Sequence, residues 1–195
     1  MRTAQNEKYE RLVEAAKRMI AQKGLEKTTV SDIVKEAGVA QGTFYLYFAS
    51  KNAVVFAIAM EHLNQLFSHI KEKGATAGSF FDLLTIMIDE TFAVTERTRD
   101  VLVLCYSGFA IENAFDKWEQ IYDPYYQWLE GQFANAKKSG EVRAELDSAQ
   151  TVRMMINLIE ITAERLYLSK EKDISAPDLK EKLLSFIRHA VGSGR

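Results

Sequence analysis

Proline occupies only two of the 195 positions, Pro124 and Pro177, and no stretch alternates apolar and polar residues for long. Proline is the residue a helix interior tolerates least, and strict alternation is the mark of a half-buried strand. Helix is therefore the default almost everywhere, and the chain is expected to fold as an all-α protein of about nine helices. At 47% hydrophobic residues it has enough apolar side chain to bury a full core.

The first helix carries Leu12, Val13, Ala16, Met19 and Ile20 at helical spacing and is expected to stop at Gly24. Thr29 reads as the N-cap of the next helix, with Asp32 three residues on as a variant of the capping box, while Ile33, Val34 and Ala37 supply its buried face. Gly38 ends that helix and another begins near Gln41, leaving Ala37-Gly38-Val39 as a tight corner. Two short helices joined in this way make a helix-turn-helix. In the second of them Phe44 and Phe48 lie four apart and can pack inward. Thr43 and Tyr47 fall on nearly the opposite side, with Gln41 and Tyr45 on a flank.

Ser50 caps a longer helix over about 51–73, and after a break from Gly74 to Gly78 the segment 80–94 is apolar on nearly every side, as suits the middle of a bundle. A shorter helix is expected around Arg99 to Tyr106, then an aromatic-rich one over about 112–138 that Pro124 should kink or interrupt. Two amphipathic helices close the chain, over about 148–168 and 176–191. Their stripes, Val152, Met155, Ile159 and Leu166 on one and Leu179, Leu183, Phe186 and Ile187 on the other, suit a four-helix interface in a homodimer. The same stripes would equally close the core of a single copy. Residues 1–50 are expected to form one domain and 51–195 a second.

The formal net charge of −2 hides an asymmetry: residues 1–55 carry three more basic than acidic groups, and the remainder five more acidic than basic. The basic end is the nucleic-acid candidate, although an excess of three is a mild signal that solvated faces often show. The single cysteine, Cys105, sits in an apolar run and is expected to be a core residue, with no partner for a disulfide or a cysteine-based zinc site. His62, His69 and His189 are scattered, and there is no His-Glu-x-x-His, no Gly-x-Ser-x-Gly and no phosphate-binding glycine loop. No enzyme, metal site or cofactor is therefore expected. The first ten residues are polar and nothing approaches 18 consecutive apolar residues, so the expectation is a cytoplasmic protein without a membrane partner.

The stretch Thr28-Thr29-Val30-Ser31-Asp32-Ile33, followed by Ala37-Gly38-Val39-Ala40-Gln41-Gly42-Thr43-Phe44-Tyr45-Leu46-Tyr47-Phe48 and Lys51, resembles the DNA-binding domain of the TetR family of repressors over about residues 8–60. The resemblance implies that Thr29, Thr43, Tyr47 and Lys51 contact backbone phosphates of double-stranded operator DNA, positioning the protein without reading sequence. Many family members carry histidine where this chain has Tyr47, but tyrosine is also common there. It implies that Gln41 and Tyr45 reach base edges, since glutamine pairs bidentately with adenine and a tyrosine ring contacts a thymine methyl, while the small Ala40 and Gly42 permit close approach.

The family binds its small-molecule effectors among the middle helices of the second domain. On that basis Met87, Phe92, Phe109, Trp118, Tyr122 and Met155 are expected to line a pocket, although large aromatics at helical spacing are more often plain core. Aromatic walls with interspersed acids suit an apolar or cationic amphipathic ligand. The run Gly-Thr-Phe-Tyr-Leu-Tyr-Phe also looks like that of fatty-acyl-CoA-responsive members, a likeness of the reading domain alone. A helical protein-interaction adaptor is the alternative that a helix-turn-helix by itself leaves open, with a small helical enzyme more remote.

Overall fold

The computed structural model describes residues 4–99, 102–103, 114–169 and 174–194. Among these, eight helices follow in order: α1 (Ala4–Lys27), α2 (Val30–Ala37), α3 (Gln41–Tyr45), α4 (Lys51–Gly74), α5 (Phe80–Arg97), α6 (Ala114–Ser139), α7 (Ser148–Leu168) and α8 (Ala176–Val191). The count is eight rather than about nine, and the further helix expected around Arg99 to Tyr106 lies largely outside the described residues, as does Cys105. No β-ladder is present among the described residues, only an isolated antiparallel bridge between Val142 and Gly192. Two compact units emerge, one built on Met1–Leu63 and the other on Asn64–Arg99 with Trp118–Arg195.

The first unit closes around Leu12, Val13, Ala15, Ala16 and Ile20 of α1, Ile33, Val34 and Ala37 of α2, Phe44 and Phe48, and Val54, Val55 and Ile58 of α4. Gly24 leaves helical geometry with φ 80° and ψ 159°, where the sequence places the end of the first helix. Thr29 and Asp32 make the complete capping box: the Asp32 N–H donates to Thr29 Oγ1 at 3.2 Å, and the Thr29 N–H donates to Asp32 Oδ2 at 2.9 Å. Two of the donors that a helix start leaves unpaired are thereby satisfied.

Gly38 ends α2 in the left-handed region (φ 64°), and the Val39 N–H reaches back to Val34 O at 3.0 Å. The Arg11 guanidinium, from α1, donates to the carbonyls of Ala37 and Gly38 and so caps the same helix end from outside it. A side chain at this φ costs about 1–2 kcal/mol, and an added Cβ would meet Arg11 Nη2 at 2.9 Å. Gly38→Ala is accordingly expected to lower the free energy of unfolding in urea by that amount and the midpoint with it. An unchanged midpoint would mean that the corner is not under this constraint.

In the second unit α5 is buried along most of its length through Phe80, Leu83, Leu84, Met87, Ile88, Phe92 and Val94, and packs against α7 and α8. Its N-terminus is capped by Ser79, and Glu141 Oε2 accepts the Phe80 N–H at 2.7 Å. The helix α6 runs unbroken through Pro124, so the expected interruption does not occur. The carbonyl that proline leaves without a donor belongs to Gln120, and Gln120 and Pro124 are both exposed, so water can satisfy it.

Burial within one protomer divides the residues expected at a subunit interface. Val152, Met155, Ile159, Leu183 and Ile187 are buried inside the protomer, where they close its own core. Leu166 and Leu179 are half-buried, and of the eight only Phe186 stands out, at 63% exposure. Both helices are apolar over more than one face, and the inner face is consumed by α5.

Candidate nucleic-acid interface

The helix α3 has five residues and no side-chain cap at Ala40, and Phe44 is its one buried residue. The Phe44 ring is fully enclosed and lies 5.5 Å from both Phe48 and Tyr45, while Tyr9 of α1 packs on Phe48 at 5.2 Å and on Tyr47 at 6.0 Å. These inward rings fix which way the remainder of α3 points. Ala40, Gln41, Gly42 and Tyr45 are all exposed, Tyr45 at 54%. Leu46 is exposed at 81%, an apolar side chain on the same surface that sequence reasoning passed over. Its signal was available: Leu46 lies two positions from both inward phenylalanines, which on a helix is nearly the opposite side.

The residues expected at phosphates are placed as follows. Thr43 and Tyr47 are half-buried at the surface. The exposed Thr29 spends its hydroxyl on the capping box, donating to Asp32 Oδ2 at 2.6 Å. The Asp32 carboxyl also pairs with Lys23 at 2.8 Å, and Lys23, then Thr29, hold it well below the usual carboxylate range. The Lys51 ammonium donates to the backbone oxygens of Leu25 at 2.5 Å, Thr28 at 2.9 Å and Glu26 at 3.4 Å. Its three N–H donors thus tie the start of α4 to the end of α1 and the turn after it, a contact no local pattern shows.

In the second unit Met87, Phe92 and Met155 are buried, and Phe109 lies outside the described residues. Trp118 stands on α6. Tyr122 is half-buried, stacks on Tyr126 at 5.6 Å and donates its hydroxyl to Glu160 Oε2 at 3.0 Å. Burial pushes the Glu160 carboxyl up to about 8, with the Tyr122 hydrogen bond pulling the other way and Glu164 adding to the rise. Burial, with Glu160 nearby, also raises Tyr122 and Tyr125 well above the ordinary phenol value. Glu160 was missed from sequence, although it stands four residues after Ile156 and so shares the buried stripe of α7. Among the described residues there is no group of three or more His, Cys, Asp or Glu side chains able to hold a metal ion, and no helix long and apolar enough to cross a membrane.

A capped helix, a glycine corner and a short exposed helix anchored by one phenylalanine define a helix-turn-helix protein, here joined in one chain to a larger helical unit. Residues 12–58 match the family of bacterial regulatory proteins of the tetR type, and residues 84–191 match the tetracyclin repressor-like C-terminal domain. The HTH-type transcriptional regulator YvdT of Bacillus subtilis (strain 168) is 47% identical over 95% of this chain and 96% of its own length. The fatty acid metabolism regulator protein of the same organism is 26% identical over 85% of this chain and 86% of its own. Among solved structures, FadR from Bacillus subtilis in complex with stearoyl-CoA superposes with a TM-score of 0.77 at 24% identity, covering 92% of this chain and 97% of that one. The chain belongs to the TetR family of transcriptional regulators. Its relatives are regulators of transcription, not enzymes.

Proposed function

We propose that this chain is a ligand-responsive repressor that binds palindromic operator DNA as a homodimer and is released by a small apolar or amphipathic effector. Residues 1–50 supply the reading domain, closed by Val54, Val55 and Ile58 from the start of α4, and the rest of 51–195 holds the effector and the partner subunit. The observation that carries the proposal is the exposed face of α3, where Gln41 and Tyr45 stand clear of the core while Phe44 is locked beneath them. Such a helix presents a hydrogen-bonding amide and an aromatic edge at the width of a major groove. Around it Thr43 and Tyr47 offer hydroxyls to phosphates, Thr29 lies beside them with its hydroxyl held in the capping box, and Lys51 adds a positive charge fixed at the start of α4. Ala40 and Gly42 let the backbone come close.

Each subunit reads one half-site, and two half-sites lie about 34–36 Å apart per helical turn of DNA. An effector releases the protein if it binds the non-operator conformation more tightly, and a nearly complete shift needs a differential affinity of about 5 kcal/mol. The amphipathic stearoyl-CoA held by FadR supports an effector with a long apolar part. Met87, Phe92, Phe109, Trp118, Tyr122 and Met155 are its proposed neighbours, the buried ones becoming accessible only when the helices part.

Anisotropy titrations on the DNA upstream of the protein's own gene test the interface. Gln41→Ala should relax discrimination at one base position by about 1–3 kcal/mol. Tyr47→Phe and Lys51→Met should each weaken all sequences alike, with the salt dependence flattened by roughly one unit of slope for Lys51→Met and unchanged for Tyr47→Phe. Parent-like binding by all three variants would remove the assignment and leave the adaptor function in its place.

A further inference from the structure

The short exposed helix presents a face without charge. Residues 37–50, which span the glycine corner, α3 and the turn after it, contain no lysine, arginine, histidine, aspartate or glutamate. The side chains that single out G·C pairs in a major groove are charged: arginine or lysine pairs with guanine, and glutamate or aspartate accepts from cytosine. None of them is available here. What α3 and its C-cap expose instead is Gln41, Tyr45 and Leu46, an amide suited to adenine and two apolar surfaces. A lone exposed leucine is ordinary on a protein surface. What singles out Leu46, at 81% exposure, is its place on this helix.

The Leu46 backbone keeps right-handed helical angles (φ −71°, ψ −23°), so the turn of α3 continues through it, and its N–H donates to Thr43 O at 3.3 Å. At about 100° per residue, Gly42 and Leu46 stand two positions either side of Phe44 and so nearly opposite the buried ring. Gly42 brings no side chain to this ridge, and an added Cβ there would meet nothing within 4 Å. Leu46 therefore projects alone along the line that points away from the core, with Tyr45 on one flank and Thr43 on the other. Gln41 to Leu46 rises about 7.5 Å, less than the roughly 12 Å width of a major groove. A helix seated deeply enough for Gln41 to reach base edges carries Leu46 into the groove with it. Leucine has no donor or acceptor to offer there. Its complement is the C5 methyl of thymine, the apolar group that base edges display in that groove.

Resting on the operator-binding function above, we infer that Leu46 is a specificity-determining residue that reads a thymine through its methyl group, and that α3 selects A·T pairs where it enters the operator. Gln41 supplies the adenine contact and Leu46 the apolar one, with no charged side chain beside them to favour guanine or cytosine. Enclosing one methyl group against Leu46 should be worth about fourfold in affinity, and about fifteenfold when both half-sites of a palindrome supply it.

In the test, the full-length parent first selects its operator from a random-sequence duplex pool. Anisotropy titrations then compare duplexes in which each thymine in turn is replaced by uracil, a change that removes the methyl and leaves base pairing as it was. The selected sites should carry A·T pairs next to the position at which Gln41→Ala relaxes discrimination. There the parent should lose about fourfold on replacement of one thymine in a half-site. Leu46→Ala, at an exposed position, should melt like the parent and bind thymine and uracil duplexes alike at that position, with the parent's response kept at every other thymine. Leu46→Met, which stays apolar, should retain the sensitivity. An unchanged uracil profile in Leu46→Ala, a parent indifferent to every methyl, or selected sites that are G·C beside the Gln41 position would overturn the assignment of Leu46 while leaving operator binding intact. Failure of the parent to enrich any sequence would instead sink the operator-binding function on which the assignment rests.

Discussion

Phe44→Ala is expected to cost the first unit about 3–5 kcal/mol and to abolish operator binding with it. The ring is wholly buried and touches Phe48 and Tyr45, so truncation removes its transfer free energy, leaves a cavity and breaks two aromatic pairs. Whole-domain stabilities are about 5–15 kcal/mol, which makes such a loss a large fraction of what holds the unit together. A second consequence is specific to this helix. With five residues, no N-cap side chain and one buried residue, α3 has no means of persisting once that residue is gone. Operator affinity should therefore fall further than the melting temperature alone indicates. Thermal melts followed by circular dichroism should show a loss of about 12–40 °C for the first unit of the variant, against no loss for Gln41→Ala. A Phe44→Ala protein that melts and binds like the parent would mean that α3 is held by something other than this ring.

What was legible in the sequence was what local chemistry decides. Thr29 and Asp32 announce a helix start because a hydroxyl and a carboxylate three residues apart answer each other's backbone donors, and the box is present in both directions. Gly24 and Gly38 announce helix ends because glycine adopts positive φ without strain, and both do so. The inward set of α3 follows from spacing, which left Gln41 and Tyr45 outside as expected. What escaped was decided at long range. Arg11 caps a helix whose end lies 26 residues further on, and Lys51 reaches the carbonyl of Leu25 across a similar separation. Neither contact leaves a periodic trace. Glu160 was hidden because a carboxyl on an apolar stripe looks the same whether it reaches water or is enclosed.

The division of α7 and α8 between core and surface escaped for a related reason, and it determines the experiment on subunit association. Periodicity locates a stripe but does not say which of two neighbours buries it. Here Val152, Met155 and Ile159 face α5, so the apolar residues left for a second subunit are Met154 at 68% exposure and Ile161 at 49% on α7, with Phe186 at 63% on α8. Met154 and Ile161 are seven apart and share one helix face. The double variant Ile161→Glu and Phe186→Glu should consequently yield a folded monomer. Exposed positions away from caps and cores change stability by only about 0.5 kcal/mol, whereas like charges placed opposite their own copies across a two-fold axis repel. Loss of the dimer turns the second half-site from an intramolecular partner into a separate one, so operator affinity should drop by about 10²–10⁴-fold with each reading domain intact. Ile159→Ala is the contrasting change: it removes buried volume, should cost about 2–5 kcal/mol, and acts through stability rather than through the contact surface itself. Sedimentation velocity separates the two, and a double variant that sediments as a dimer with parent-like operator affinity would place the subunit contact elsewhere on the molecule.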